Sequence, residues 1–265
     1  MTMSRLKDLF EQKQNRILNV YCTAGYPELE STVPVLRALQ ENGADIIELG
    51  MPYSDPLADG PVIQASSARA LANGMSIETL FRQLEGVRAE LSVPVVLMGY
   101  LNPLLQYGFE AFCARAAACG VDGLIIPDIP LHAFEREYRD VVKKHGLDFI
   151  FLVTPETPEA RVRKLDAASS GFLYAVSSSS VTGSAKDFPA VERYLERLQQ
   201  LRLSNPVLVG FGIHDRDTFN SACRHANGAI IGSAYIRALA GAGSVEEGTK
   251  RFLEGVLGRG VNSST

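Results

Sequence analysis

The sequence is poor in the features that mark several large functional classes. It has four cysteines, Cys22, Cys113, Cys119 and Cys223, and no C-x-x-C pair. That leaves no disulfide framework or paired redox motif, and the expectation is reduced thiols, mostly buried. The four histidines, His132, His145, His214 and His225, share no metal-ligand spacing, so no metal site is expected. No stretch approaches the roughly 18 continuous apolar residues of a membrane span. The N-terminal MTMSRLKDLFEQKQNR lacks the apolar core of a signal peptide, and the expected location is cytoplasmic. No run of five like charges occurs, and a formal net charge of −4 argues against a nucleic-acid partner. Two catalytic motifs are also missing: G-x-G-x-x-G after the first apolar run, and G-x-S-x-G anywhere near the serine cluster. None of the seven lysines stands at the end of an expected strand, where a Schiff-base enzyme would need one.

What is present is length and pattern. The 265 residues are close to the roughly 250 of one (β/α)₈ barrel, and a chain of this size buries about three quarters of its unfolded surface. Short runs rich in β-branched residues recur at 17–22, 45–49, 94–99, 123–127, 149–153, 172–176, 206–210 and 229–231. They are nearly continuous in hydrophobicity, as strands covered on both faces are in a parallel sheet. Amphipathic helical patterns lie between them, at 32–42, 77–91, 109–118, 133–145, 158–168, 190–203, 215–224 and 245–257. Ser76 is placed to cap the second of these. An extra helix is expected at 4–14, and the tail 258–265 reads as disordered. Alternating strands and helices leave a closed barrel or an open doubly wound sheet. Without a dinucleotide fingerprint the reading is α/β, a single (β/α)₈ (TIM) barrel domain over residues 1–265 with an extra N-terminal helix.

Barrel active sites lie where strands run into the following helices. The second strand ends D-I-I-E-L-G, which turns Glu48 away from Ile47 and Leu49. A carboxylate in that apolar company faces the barrel mouth or is ion-paired, and desolvation there would raise its pKa into the range of a general acid. The following loop, residues 51–61, is M-P-Y-S-D-P-L-A-D-G-P. It is longer than a usual βα connection and offers a second carboxylate, Asp55 or Asp59, between which spacing does not choose. Strand six leads into S-S-S-S-V-T-G, strand seven ends G-F-G and strand eight ends G-S-A. These uncharged segments suit a phosphate cradle of backbone N–H groups.

The stretch 48–61, E-L-G-M-P-Y-S-D-P-L-A-D-G-P, resembles the signature of the tryptophan synthase α subunit family. T-A-G-Y-P at 23–27, M-G-Y-L-N-P at 98–103, I-P-D-I-P at 126–130, V-T-G at 181–183, G-F-G at 210–212 and G-S-A at 232–234 extend the likeness along essentially the whole chain. The resemblance implies cleavage of indole-3-glycerol phosphate to indole and glyceraldehyde 3-phosphate, a retro-aldol reaction. It matches Glu48 to the family's acid and base, and Asp59 to the carboxylate that holds the indole N–H. Asp55, with Pro56, then matches a loop facing the partner subunit. Thr182 matches a residue that orients Asp59. Gly183, Gly212, Gly232 and Ser233 match the phosphate cradle. Tyr21, Met98, Tyr100, Ile125, Leu152, Tyr174 and Phe211 match positions around the indole, although each could equally be barrel core. The family works as an α₂β₂ heterotetramer whose β subunit carries pyridoxal phosphate, so no cofactor is expected on this chain. One departure is Ser180, where the family has glycine. Three rival readings keep the same barrel: a stand-alone lyase releasing free indole, another phosphosugar enzyme such as an isomerase, or a non-catalytic phosphate-binding subunit.

Overall fold

The computed structural model describes residues 4–176, 188–210 and 212–259. Ser180, Thr182, Gly183 and Phe211 lie outside the described residues. Nine strands form one parallel sheet: β1 Ile17–Thr23, β2 Ile46–Gly50, β3 Val95–Met98, β4 Gly123–Ile125, β5 Asp148–Phe149, β6 Leu152–Val153, β7 Leu173–Val176, β8 Val207–Gly210 and β9 Gly228–Ile231. Their order is β5-β4-β3-β2-β1-β9-β8-β7-β6. The two ends of that order, β5 and β6, are consecutive pieces of one extended stretch joined through Ile150 and Phe151. The eight expected staves are therefore all present, and the chain itself closes the (β/α)₈ barrel.

Side-chain alternation sorts the staves into two cores. Leu18, Val20, Cys22, Ile47, Leu49, Leu97, Leu173 and Val209 face outward to the helices. Inside, each stave contributes one apolar residue to an inner apolar layer that steps with the strand stagger: Ile17, Ile46, Val96, Ile125, Ile150, Phe172, Leu208 and Ile230. The expected N-terminal helix, α1 Arg5–Gln12, plugs this layer from below with Leu6 and Phe10. Arg5 pairs with Asp122 at 2.6 Å, and Arg88 reaches the same carboxylate at 3.0 Å, so the lower rim is held by charge.

The remaining helices are α2 Thr32–Glu41, α3 Pro61–Ala72, α4 Ile77–Leu84, α5 Leu101–Tyr107, α6 Phe109–Ala118, α7 Leu131–Ala133, α8 Arg139–Lys144, α9 Glu159–Ala168, α10 Phe188–Gln200, α11 Arg216–His225, α12 Ser233–Ala240 and α13 Val245–Leu257. A π turn, Phe134–Tyr138, joins α7 to α8. Ser76 caps α4 as expected, accepting from the Thr79 N–H at 3.1 Å. That helix, expected to reach residue 91, stops at Leu84. Gly86 takes φ +75° and a 3-10 turn, Val87–Ala89, follows. The apolar period runs on because Val87 and Leu91 still pack into the core.

Three helices have no counterpart in the sequence reading. In α3 the buried face is Ser66, Ser67 and Ala70, too small and polar to show as an apolar stripe. It seats close to β1, where Thr23 and Ser66 share a 2.7 Å hydroxyl contact. In α5 Pro103 falls in the first turn, where no intrahelical N–H is required. The Leu101 N–H at its start donates to Asp128 at 3.0 Å. The third, α12, follows β9 with only Gly232 between them. Among the described residues no helix is long and apolar enough to cross a membrane.

Candidate active site

The upper ends of the staves open into a cavity of about 410 Å³. Glu48 lines it, together with Tyr21, Asp59, Met98, Leu152, Tyr174, Gly212, Gly232 and Ser233. Tyr100 stands beside this group, its hydroxyl accepting from the Ala58 N–H at 3.0 Å. Ile125 lies lower, in the inner apolar layer and fully buried. Asp55 and Pro56 are on the outer side of the loop after β2 and do not line the cavity.

Glu48 stands two residues beyond Ile46 of the inner layer and so points inward above it. It is 1% exposed, with no ion pair among the described residues. Burial pushes its carboxyl pKa up to about 8, the nearby Asp59 charge adding to the rise. A hydrogen bond from Asn19 acts the other way: its Nδ2 donates to Glu48 Oε2 at 3.0 Å. Asp59 is half-buried in the loop. Burial raises its pKa to about 6, and the Tyr100 hydroxyl holds it partly down. The loop is itself anchored. Gln64, at the first turn of α3, donates to the Asp59 carbonyl at 2.9 Å, and the Tyr53 and Tyr100 rings meet at 5.4 Å between centroids. Near neutral pH the two carboxyls thus differ: Glu48 holds its proton while Asp59 has mostly lost its own. That is the division an acid and base pair needs.

Two tyrosines form the apolar walls. Burial keeps the Tyr21 and Tyr174 hydroxyls far above their ordinary pKa, and the carboxylates reinforce the effect. Each ring lies over a strand-ending glycine, Tyr21 over Gly50 and Tyr174 over Gly210, where a Cβ would collide with it. Across the cavity, Gly212 with φ +39° and Gly232 at the N-cap of α12 form the glycine-lined end. Backbone N–H groups at such a helix start favour an anion.

Sequence reasoning passed over several residues in or beside the cavity. Asn19 lies two residues before Tyr21 and so on the same strand face, a signal that was visible in I-L-N-V-Y-C. Arg237 follows Ser233 by four residues, one turn along α12, and lines the cavity. The expectation of an uncharged cradle therefore gains a cation at its edge. Ile63 comes from α3, which the sequence did not reveal. His214, noted from the sequence only as one of four histidines without metal-ligand spacing, lines the cavity and contacts the Gly212 carbonyl through Nδ1 at 2.6 Å. Among the described residues no cluster of three or more His, Cys, Asp or Glu is arranged to hold a metal ion.

This geometry has close counterparts among known proteins. A family model described as tryptophan synthase alpha chain matches residues 6–257. The tryptophan synthase alpha chain of Flavobacterium johnsoniae is 52% identical over 239 residues, covering 89% of this chain and 94% of that relative. That of Parabacteroides distasonis is 47% identical over 253 residues, covering 95% and 98%. The crystal structure of tryptophan synthase subunit alpha from Legionella pneumophila superposes with a TM-score of 0.89 at 31% identity, covering 97% of this chain and 98% of that one. Sequence and fold agree from the plug helix to α13, and this chain belongs to the tryptophan synthase alpha chain family.

Proposed function

We propose that Glu48 and Asp59 are the groups through which this chain performs its family's reaction. The chain is a carbon–carbon lyase that cleaves indole-3-glycerol phosphate in tryptophan biosynthesis, releasing indole and glyceraldehyde 3-phosphate. The observation that carries the assignment is a buried carboxyl, without a cationic partner among the described residues, at the floor of a cavity beside a second carboxyl. Glu48, protonated, delivers its proton to indole C3 and turns the ring into an electron sink. Asp59, ionised, accepts the indole N–H, and its attraction grows as positive charge develops on that nitrogen. Glu48, now a carboxylate, takes the proton of the adjacent glycerol hydroxyl. The C–C bond breaks, its electrons return to the ring, and the aldehyde leaves. Nothing in this sequence of steps needs an electron sink beyond the indole.

The substrate phosphate sits at the start of α12 against Gly212, Gly232 and Ser233, and the indole lies between Tyr21, Met98, Leu152 and Tyr174, near Tyr100. The family resemblance adds Gly183 to the cradle, Phe211 to the indole pocket and Thr182 as the residue that orients Asp59; all three lie outside the described residues. Residues 1–265 form one barrel domain, and the enzyme works in the cytoplasm, whose reducing conditions suit the four free thiols. As an alpha subunit the chain implies a β partner. The assembly is an α₂β₂ heterotetramer in which pyridoxal phosphate belongs to β and this chain carries no cofactor. Leu57, 95% exposed beside Asp55 and Pro56, supports a partner-facing role for that loop.

The test is release of glyceraldehyde 3-phosphate from indole-3-glycerol phosphate, with and without a cognate β subunit. Release that rises with β supports the subunit role. Fast release indifferent to β favours a stand-alone lyase, and no release in either case removes the assignment.

A further inference from the structure

The inward side chains of β1 are Ile17, Asn19 and Tyr21. In register, Asn19 stands between Ile46 of β2 and Ile230 of β9, both apolar. Its side chain is fully buried and makes one hydrogen bond, to Glu48. Its Oδ1 has no partner among the described residues. An unpaired buried acceptor costs stability, so an aliphatic side chain would serve the barrel's packing better than this amide does.

What the amide supplies is a partner for both states of a carboxyl. With the carboxylate, its N–H donates, through the Nδ2–Oε2 contact at 3.0 Å. With the carboxylic acid, the amide turned over about its terminal bond presents Oδ1 to accept the O–H. In either state one amide atom is left over, which accounts for the orphan oxygen. Leucine or valine would leave Glu48 free to swing when its charge changes.

We propose that Asn19 is a positioning residue for the proton transfers, holding the Glu48 carboxyl aimed into the cavity in both its protonated and its ionised state. The proposal rests on the reading of Glu48 as acid and base. Asn19 neither gains nor loses a proton. The proton moves from Glu48 to indole C3, and the next moves from the glycerol hydroxyl to Glu48, while the amide exchanges one hydrogen bond for the other. The other titratable groups around Glu48 do different work. Tyr21 from β1, Tyr174 from β7 and the Cys22 thiol on the outer face of β1 have pKa values pushed far up and stay neutral. Asp59 adds negative charge from the loop, and His214 and Arg237 line the cavity from beyond β8 and β9. Asn19 is the hydrogen-bond donor to the Glu48 carboxylate among the described residues.

The experiment compares Asn19→Leu with the wild-type enzyme, assembled with its β subunit. Asn19→Leu should fold with a Tm close to wild type, because the loss of the unpaired buried oxygen offsets the loss of the hydrogen bond to Glu48. It should bind an indolealkyl phosphate lacking the glycerol hydroxyls within about twofold of wild type, yet lose roughly 10- to 100-fold in kcat, the scale of a misaimed catalytic group. The basic limb of its kcat/KM profile should move to higher pH, because the charge-assisted bond to the carboxylate, now absent, is stronger than the neutral bond to the acid. In the wild-type chain the Asn19 side-chain amide resonances should titrate together with the Glu48 carboxyl by NMR, a readout that requires no variant. Unchanged kcat with an unmoved limb, or Asn19 resonances indifferent to Glu48, would overturn the proposal. Glu48→Gln run in parallel separates the two ideas. If it abolishes turnover while Asn19→Leu behaves as wild type, only the role of Asn19 fails. If Glu48→Gln retains turnover, the acid and base reading falls and this proposal falls with it.

Discussion

The Tyr21 ring occupies the space in which a Cβ on Gly50 would stand. The two residues are neighbours across the β1–β2 ladder, where Tyr21 pairs with Glu48 and Thr23 with Gly50. The glycine at the end of β2 thus lets the tyrosine lie across the strand and wall the cavity beside Glu48. Gly50→Ala should push the ring into the cavity, destabilise the chain by about 1–3 kcal/mol and weaken substrate binding. Gly255→Ala is the contrast. Gly255 sits within α13, with nothing inside 4 Å of the added carbon, and the change should stabilise by about 0.5–1 kcal/mol. Denaturant unfolding of both variants decides it. Equal effects would mean that the Tyr21 contact does not constrain position 50.

Glu48→Gln keeps shape and removes the proton. Turnover of indole-3-glycerol phosphate should fall by roughly 10²- to 10⁴-fold, the usual contribution of a general acid or base, while affinity for an unreactive indolealkyl phosphate stays within a few fold. Loss of binding in step with loss of turnover would point to a ground-state contact instead.

The pH dependence of kcat/KM should be bell-shaped. Asp59 must be ionised, which sets an acid limb near its value of about 6. Glu48 must be protonated, which sets a basic limb near its value of about 8. Tyr100→Phe removes the hydroxyl that holds Asp59 down, so the acid limb should move to higher pH and narrow the bell. An acid limb unmoved in Tyr100→Phe would detach it from Asp59.

Stability should carry the same signature. Glu48 has a folded pKa above its ordinary carboxyl value of 4.5. Between pH 4.5 and about 8 the folded chain therefore binds more protons than the unfolded one, and stability falls as pH rises through that window. Asp59 acts in the same direction below about pH 6. Glu48→Gln removes the stronger of these two pH effects. At pH 8.5 the variant should therefore be more stable than wild type by ~1–4 kcal/mol, and near pH 5 close to it. Parallel denaturation curves at the two pH values check this. A variant equally destabilised at both would mean that Glu48 contributes structure rather than strain.

Leu57 is the most exposed large apolar side chain among the described residues. Leu57→Asp should leave stability within about 0.5 kcal/mol of wild type, as for a surface change, and reduce stimulation of the lyase by the β subunit. Undiminished stimulation would move the partner surface elsewhere.

Much of this was legible in the residues alone because it is local. Apolar runs broken by amphipathic stretches marked all eight staves and the plug helix. The alternation I-I-E-L-G turned Glu48 away from the outer core, and P-L-A-D-G-P marked an unusual loop carrying Asp59. Local signals failed where packing is close or sequence is short. Helix α3 buries serines and alanine against β1, and α12 leaves no loop to announce it. What a carboxyl meets depends on neighbours far along the chain. Asn19 reaches Glu48 only because parallel pairing sets β1 beside β2 in one register, and Arg237 shares a cavity with Glu48 only because β9 closes against β1. Periodicity within a segment is a property of its own backbone and could be read directly. Burial, hydrogen-bond partners and the raised pKa of Glu48 arise from barrel closure, which brings segments more than two hundred residues apart into one layer, and only the tertiary structure decided them.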